Sequence, residues 1–147
     1  MLNAPTGEDA EAAERPPTQW MVIGALLVLT FFFPSSLLAV WIGERLATAI
    51  GLDGPSAAAL AALPVILAFA LSAWSAGALG GRFGLRTRER HGRLAGALGA
   101  LGVLGLALVG ASPPSPLVTL AAGTLLIALG VVSAGLGARY GIRRRPS

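Results

Sequence analysis

The chain has 147 residues, of which 54% are hydrophobic and only 12% are charged, and its mean hydropathy is +0.73. This composition is far more apolar than that of a soluble domain and predicts a membrane protein. The chain has no cysteine, which excludes disulfides, thiolate metal sites and cysteine nucleophiles. All 11 basic residues are arginine, which excludes a lysine-based phosphate loop or Schiff base.

The chain opens with a polar, acidic segment followed by a long apolar run. We predict a disordered cytoplasmic tail over residues 1–19. Residues 20–43 can cross the roughly 30 Å of a bilayer core, with Trp20 and Trp41 placed as interfacial anchors. A signal peptide is the alternative, since Ala47-Thr48-Ala49 looks like a cleavage site. The run lacks a basic start and exceeds the usual core of about 7–15 residues, so we predict an uncleaved span.

A short connection separates the first span from the second. We predict that the first helix continues to Ile50 and ends at Gly51. The segment from Asp53 to Ser56 then offers capping side chains and a proline suited to a helix start. The second span follows over residues 56–79.

The second half of the chain repeats this alternation of basic and apolar segments. A loop from Arg82 to Arg93 holds five arginines and the single histidine, His91. The third span covers residues 94–111, and an uncharged proline turn leads into the fourth span, residues 117–138. Residues 142–147 are predicted to form a basic cytoplasmic tail. The predicted transmembrane domain therefore covers residues 20–141.

The distribution of arginine predicts the orientation in the membrane. Ten of the 11 arginines lie in the two terminal segments and the middle loop, and only Arg45 lies in the two opposite connections. The positive-inside rule then predicts a multi-pass protein of the bacterial inner (plasma) membrane, with both termini in the cytoplasm. The same placement beside apolar runs argues against nucleic-acid binding, despite the net charge of +4.

Two similar segments end the second and fourth spans. Ser75–Arg86 aligns with Ser133–Arg143 with one gap, matching small, basic, aromatic and aliphatic residues in turn. The fold class is therefore predicted to be all-α, with four transmembrane helices arranged as two parallel-repeat hairpins. Composition bias is the alternative explanation, because glycine, alanine, leucine and arginine are so frequent here.

The repeated segments also carry the candidate interface residues. Their arginines are predicted to reach the lipid phosphates as interfacial anchors, and specific binding of anionic lipid headgroups is the sharper interpretation. These candidates are Arg82, Arg86, Arg139 and Arg143.

The first of the two segments has a second likeness. Gly77–Arg86 resembles the glycine, arginine and aromatic loop between the second and third helices of major facilitator transporters. Gly81 stands where that family has an aspartate, and the resemblance covers about ten of the 147 residues. We infer no transport function from it.

Small residues recur at helical spacing in the third and fourth spans. Such stripes let helices approach closely, either within one chain or between copies. The predicted packing residues are Gly96, Gly99, Gly123, Gly130, Ala134 and Gly137.

Two prolines lie inside the first two spans. Pro34 and Pro64 fall at similar depth and are predicted to kink their helices, freeing the carbonyls of Thr30 and Leu60. Ser35, Ser36 or neighbouring helices can satisfy these carbonyls, which makes ordinary kinks the plain interpretation. A small cavity in the outer leaflet is the functional one.

The function is predicted mainly from what the spans lack. No ionisable side chain lies within the four spans, and no catalytic or metal-binding arrangement can be named, so we predict neither an enzyme nor a cofactor. The expected function is that of a small non-catalytic membrane protein, an accessory or structural subunit or a homo-oligomer. Its expected partners are the lipid bilayer and either further copies or a larger membrane complex. A small oligomeric transporter or channel is the alternative.

Overall fold

Four long helices make up the described part of the chain. The computed structural model describes residues 16–84, 87–110 and 115–145. Within these ranges the regular structure is entirely helical, with each helix long and apolar enough to cross a membrane. This confirms the prediction of an all-α protein with four transmembrane helices. The helices are α1 Pro17–Ile50, α2 Gly54–Phe83, α3 Glu89–Gly110 and α4 Pro116–Arg143.

Each helix extends beyond the apolar span that predicted it. Residues 17–19 belong to α1 rather than to a tail, and Arg143 belongs to α4. The hydropathy pattern marks only the hydrocarbon-length part of a helix, whereas backbone hydrogen bonding continues into the interface. The predicted end of α1 is confirmed, because Gly51 adopts φ 70° and its N–H bonds the Thr48 carbonyl over 3.1 Å.

Four parts of the sequence prediction lie outside the described residues. These are the tail before residue 16, Arg86 as an interface anchor, most of the proline turn over residues 111–114, and the last two residues of the basic tail.

The helix starts use proline and hydroxyl groups. A proline occupies the first turn of α1, α2 and α4. Ser115 caps α4, since its Oγ accepts from the Val118 N–H over 3.2 Å. Asp53 occupies the cap position of α2 without a side-chain capping bond, so that predicted role is wrong. Instead, the Ser56 hydroxyl donates to the Asp53 carbonyl over 2.8 Å.

The four helices form a bundle in which each helix packs on two neighbours, and one pair also makes contact across the middle. Helix α1 packs on α2 and α3, α4 also packs on α2 and α3, and α2 touches α3 across the middle. Among the described residues the backbones of α1 and α4 do not come close to each other. The hairpins α1–α2 and α3–α4 run in the same direction, so α2 and α4 are parallel neighbours although α3 separates them in the chain.

The core lies nearer the end where α2 and α4 finish and α3 begins, called here the arginine end. Phe32 and Phe69 meet edge to face with ring centroids 5.5 Å apart. In α4, six of the seven buried residues lie between Gly130 and Gly141, and only Gly123 is buried nearer the other end. The packing of α4 is therefore tight at the arginine end and sparse at the opposite end, called here the loose end. Helices α1 and α2 still approach closely there, since a Cβ on Gly43 would lie 2.6 Å from the Ala61 carbonyl oxygen.

Both helices with internal prolines are continuous through them. Pro34 lies within α1 and Pro64 within α2. The Ser35 hydroxyl donates to the carbonyls of Phe31 and Phe32 over 2.7 and 3.0 Å, and therefore does not satisfy Thr30 as expected. An open depression of about 410 Å³ lies between α1 and α2 beside Pro64 and Ser35.

Candidate functional site at the arginine end

The parallel helices α2 and α4 cross at four glycines that leave no room for a side chain. A Cβ atom built on Gly77 or Gly81 would come closer than 3.0 Å to the carbonyl oxygen of Ala134 or Ala138, respectively. The two α4 glycines of the crossing are Gly137 and Gly141. Because helices in lipid gain little from the hydrophobic effect, such close backbone approach is a principal source of their association.

The contacts at this crossing are reciprocal. A Cβ on Gly137 would strike the Trp74 carbonyl, and one on Gly141 would strike the Ala78 carbonyl. Gly137 is the counterpart of Gly77, and Gly141 is the counterpart of Gly81. Each glycine faces the carbonyl of the residue that lies three positions before its counterpart in the sequence. The crossing is thus a parallel pair of GxxxG motifs within one chain, of the kind that brings Cα–H groups to carbonyl oxygens.

The two motifs are offset from the repeat seen in the sequence. The alignment matches Gly77 with Gly135, whereas the packing matches it with Gly137, two residues later. Gly135 instead lies under the Arg93 side chain, whose Cγ would be 2.8 Å from a Cβ there. The similarity of the segments therefore does not predict the register in which they pack.

Helix α3 makes a second close approach to α4. A Cβ on Gly96 would strike the Gly130 carbonyl, and one on Gly130 would lie 2.6 Å from the Gly96 carbonyl. Ala134 is fully buried at 0% exposure between this approach and the α2 crossing. The centre of the bundle is therefore built from backbone contacts on two sides of α4.

The other predicted packing residues meet side chains rather than backbone. Gly99 faces Val28 of α1, with a built Cβ 2.8 Å from the valine Cβ. Gly123 faces the end of the Leu104 side chain at 3.3 Å. The predicted small residues of α3 and α4 are thus all in contact within the chain, and they face different neighbours.

The last described residue binds the end of α2. Arg145 Nε donates to the Gly81 carbonyl over 2.9 Å. Its Nη2 lies 2.7 Å from the Gly84 carbonyl and 2.8 Å from the Thr87 carbonyl. A helix end leaves its last carbonyls without intrahelical partners, and a guanidinium has enough donors to serve several of them. Arg145 therefore acts as a C-terminal cap for a helix other than its own.

Thr87 completes this capping network from the connection between α2 and α3. Its side chain is 6% exposed, and its hydroxyl lies 2.6 Å from the Gly84 carbonyl and 2.9 Å from the Gly80 carbonyl. The same oxygen is 3.1 Å from Arg145 Nη2. The end of α2, the start of the loop and the end of the chain are consequently one hydrogen-bonded unit.

The structure separates the predicted interface arginines. Arg139 lies toward α3, with its Nε 3.9 Å from Glu89 Oε2, and Arg93 Nη2 lies 2.6 Å from Glu89 Oε1. Arg143 is exposed in the last turn of α4. Arg82 lies on the far side of α2 and shares a groove with Arg144, a residue absent from the predicted set.

That groove runs along α2 between α4 and α1 and has a volume of about 610 Å³. We call it the α2 groove. Its arginine end holds Arg82, Arg144, Tyr140 and Trp74, and its inner part reaches Phe31 and Ser75. The volume falls within the range of about 300–1,000 Å³ that is typical of small-ligand sites.

Trp20 differs from its predicted role as an interfacial anchor. It lines a small internal space with Gly80, Gly81 and His91, and its buried Nε1 has no hydrogen-bond partner in the described part of the chain. Trp41 is 55% exposed and lies beside Arg45, whose Cζ is 5.5 Å from its ring, which fits an interfacial position. His91 caps α3, because its Nδ1 accepts from the Arg88 N–H over 2.9 Å.

Comparison with known proteins adds no homologous site. Over residues 16–84, 87–110 and 115–145 no three histidine, aspartate or glutamate side chains lie close enough together to hold a metal ion. No protein-family model, curated protein or solved structure matches this chain.

Proposed function

We propose that this chain is a non-catalytic integral membrane subunit. In this proposal the tight arginine end is the chain's own scaffold, and the loose opposite end packs against another transmembrane helix. That helix comes from a second copy or from a larger complex. The arginine end and both termini lie on the cytoplasmic side of a bacterial inner membrane.

The observation that supports a partner is a face of small residues left uncovered at the loose end. On α4, Ala121, Thr124 and Ala128 are exposed and lie on one side of the helix at helical spacing. On α3, Gly105 is exposed and has no atom within 4 Å of a built Cβ. Leu104 packs on Gly123, so Gly105 lies at the same depth as this α4 face.

Small exposed residues are the usual contact points between transmembrane helices, because they allow backbones to approach. The tight crossing at Gly77 and Gly137 shows how this chain packs such residues when a helix covers them. The glycines of that crossing are already buried within the chain, so they cannot also serve an interface between copies. The proposal therefore assigns the partner to the loose end alone.

Photo-crosslinking in native membranes tests this proposal. A photoreactive residue at Leu125, which is 71% exposed on α4, should give a discrete crosslinked product. The matched control is Leu37, which is 76% exposed on α1. Equal crosslinking from both positions, or only uncrosslinked chain from Leu125, would contradict a specific interface at the loose end.

The orientation is supported by where the arginines lie. Eight described arginines are at the arginine end, and Arg45 alone is at the opposite end. This asymmetry is what the positive-inside rule uses.

A transporter or channel has weaker support. The depression beside Pro64 is lined by exposed Leu38, Leu67 and Leu71, so it faces the lipid rather than forming a path between the hairpins. Solute flux through liposomes containing only this protein would favour that alternative.

A further inference from the structure

The α2 groove combines two features that a lipid requires. At its arginine end it has two cationic side chains, Arg82 and Arg144, and along its length it has aromatic and aliphatic walls. Trp74 and Tyr140 form one wall, with ring centroids 5.4 Å apart. A site of this kind fits a molecule with an anionic head and an apolar tail.

The two arginines are not neutralised within the described part of the chain. The acidic side chain described at this end is Glu89, and it is engaged by Arg93 and Arg139 on the α3 side. Arg144 lies over the Tyr140 ring at 5.5 Å and Arg82 lies over the Phe83 ring at 5.6 Å. Stacking on a ring occupies the face of a guanidinium and leaves its N–H edge free to bind phosphate oxygens.

The length of the groove matches one leaflet of a bilayer. The α2 groove meets the depression beside Pro64 at Phe31 and Ser75, which line both. From Arg82 to Leu71, which lies in the second depression, α2 rises about 16 Å at about 1.5 Å per residue. Half of a hydrocarbon core of about 30 Å is close to this value. An acyl chain that starts at the arginines would therefore end near the bilayer midplane.

We propose that the α2 groove binds one anionic glycerophospholipid. Its phosphate lies between Arg82 and Arg144, and one acyl chain follows the groove past Tyr140 and Trp74 toward Phe31. This site is distinct from the interface proposed at the loose end. It also differs from two separate anchors at the repeated segments, because only Arg82 of the first segment reaches it and Arg144 lies just beyond the second segment.

Native mass spectrometry of the full chain in mild detergent tests this site with phosphatidylglycerol and phosphatidylcholine as probes. The wild type should retain one phosphatidylglycerol and little phosphatidylcholine. The double variant Arg82→Gln/Arg144→Gln should bind phosphatidylglycerol about 25-fold more weakly, from about fivefold for each arginine. The variant Arg82→Lys/Arg144→Lys should keep most of the binding, because a phosphate accepts either cation.

The matched control removes two other arginines from the same end. Arg139→Gln/Arg143→Gln should bind as the wild type does, and equal loss in both double variants would reduce the site to general surface charge. Ser75→Trp fills the groove while leaving both arginines in place, so unchanged binding there would overturn the acyl-chain placement. Displacement of the lipid by millimolar inorganic phosphate would indicate an anion site without a tail. Binding that appears only after deletion of residues 1–15 would assign the groove to the acidic tail.

Discussion

Arg145 Nε donates to the carbonyl oxygen of Gly81 across 2.9 Å, joining two residues 64 positions apart in the chain. The bond ties the segment that follows α4 to the end of α2, next to the glycine crossing of the same two helices. Covalent order places α3 between them. The hydrogen bond and the crossing therefore hold together the two hairpins rather than either hairpin alone.

Replacing Arg145 with glutamine should loosen this connection. Hydrogen bonds to a charged group contribute about 1.5–3 kcal/mol, so we expect a loss of that order in the free energy of unfolding in mixed micelles. Amide exchange at Thr87 and Arg88 should also become faster. Arg145→Lys should behave similarly, because a compact ammonium cannot reach several carbonyls at once. Arg143→Gln is the control, and an equal effect there would show that charge alone matters.

The glycine crossing predicts opposite effects for two neighbouring substitutions. Gly77→Ala places a methyl group on the Ala134 carbonyl and should cost about 1–3 kcal/mol through overpacking. Gly80→Ala places one where no atom lies within 4 Å, and should gain up to about 1 kcal/mol from helix propensity. Unfolding measured by circular dichroism in detergent compares them. The same sign for both would refute the crossing.

The turn between α1 and α2 depends on the backbone of Gly51. Its φ of 70° lies in the left-handed region, where a residue with a Cβ costs about 1–2 kcal/mol. Gly51→Val should therefore destabilise the protein by at least that much, while Gly51→Asn should cost less, because asparagine tolerates this conformation. Thermal unfolding of the two variants should rank them in this order, and a reversed order would be inconsistent with the observed turn.

The proposed orientation can be tested because the chain has no cysteine of its own. Ser56→Cys, at the start of α2, should react with a membrane-impermeant maleimide added to intact spheroplasts. Ser147→Cys should react only after the membrane is opened. Labelling of Ser147→Cys alone in intact spheroplasts would reverse the topology.

Much of the fold follows from local patterns in the sequence. The four apolar runs predict four helices because a backbone in lipid must satisfy its own hydrogen bonds. Gly51 predicts the end of α1 because a helix favours glycine at that position. Other helix ends beyond the hydrocarbon were missed, as shown by Arg143, which lies inside α4 rather than in a tail.

The candidate site was harder to predict from the sequence, because its residues meet through tertiary packing. The stripe containing Gly137 predicts close packing but not whether α2, α3 or a second copy is the neighbour. Similarly, Arg143, Arg144 and Arg145 are consecutive and chemically identical in the sequence. Their roles differ only because the end of α2, at Gly84, lies beside Arg145. The last carbonyls of a helix that ends at glycine have no partner within the helix. They are the one signal that could have suggested such a cap.

The parallel crossing of α2 with α4 also sets an order of events during synthesis. When α2 enters the membrane, the face containing Gly77 and Gly81 has no partner, because the α4 segment that covers it has not been made. Insertion must therefore precede this packing, as in a two-stage process. Arg145 is the last described residue to leave the ribosome, so its bonds to Gly81 and Gly84 can form only after all the other described residues have been made.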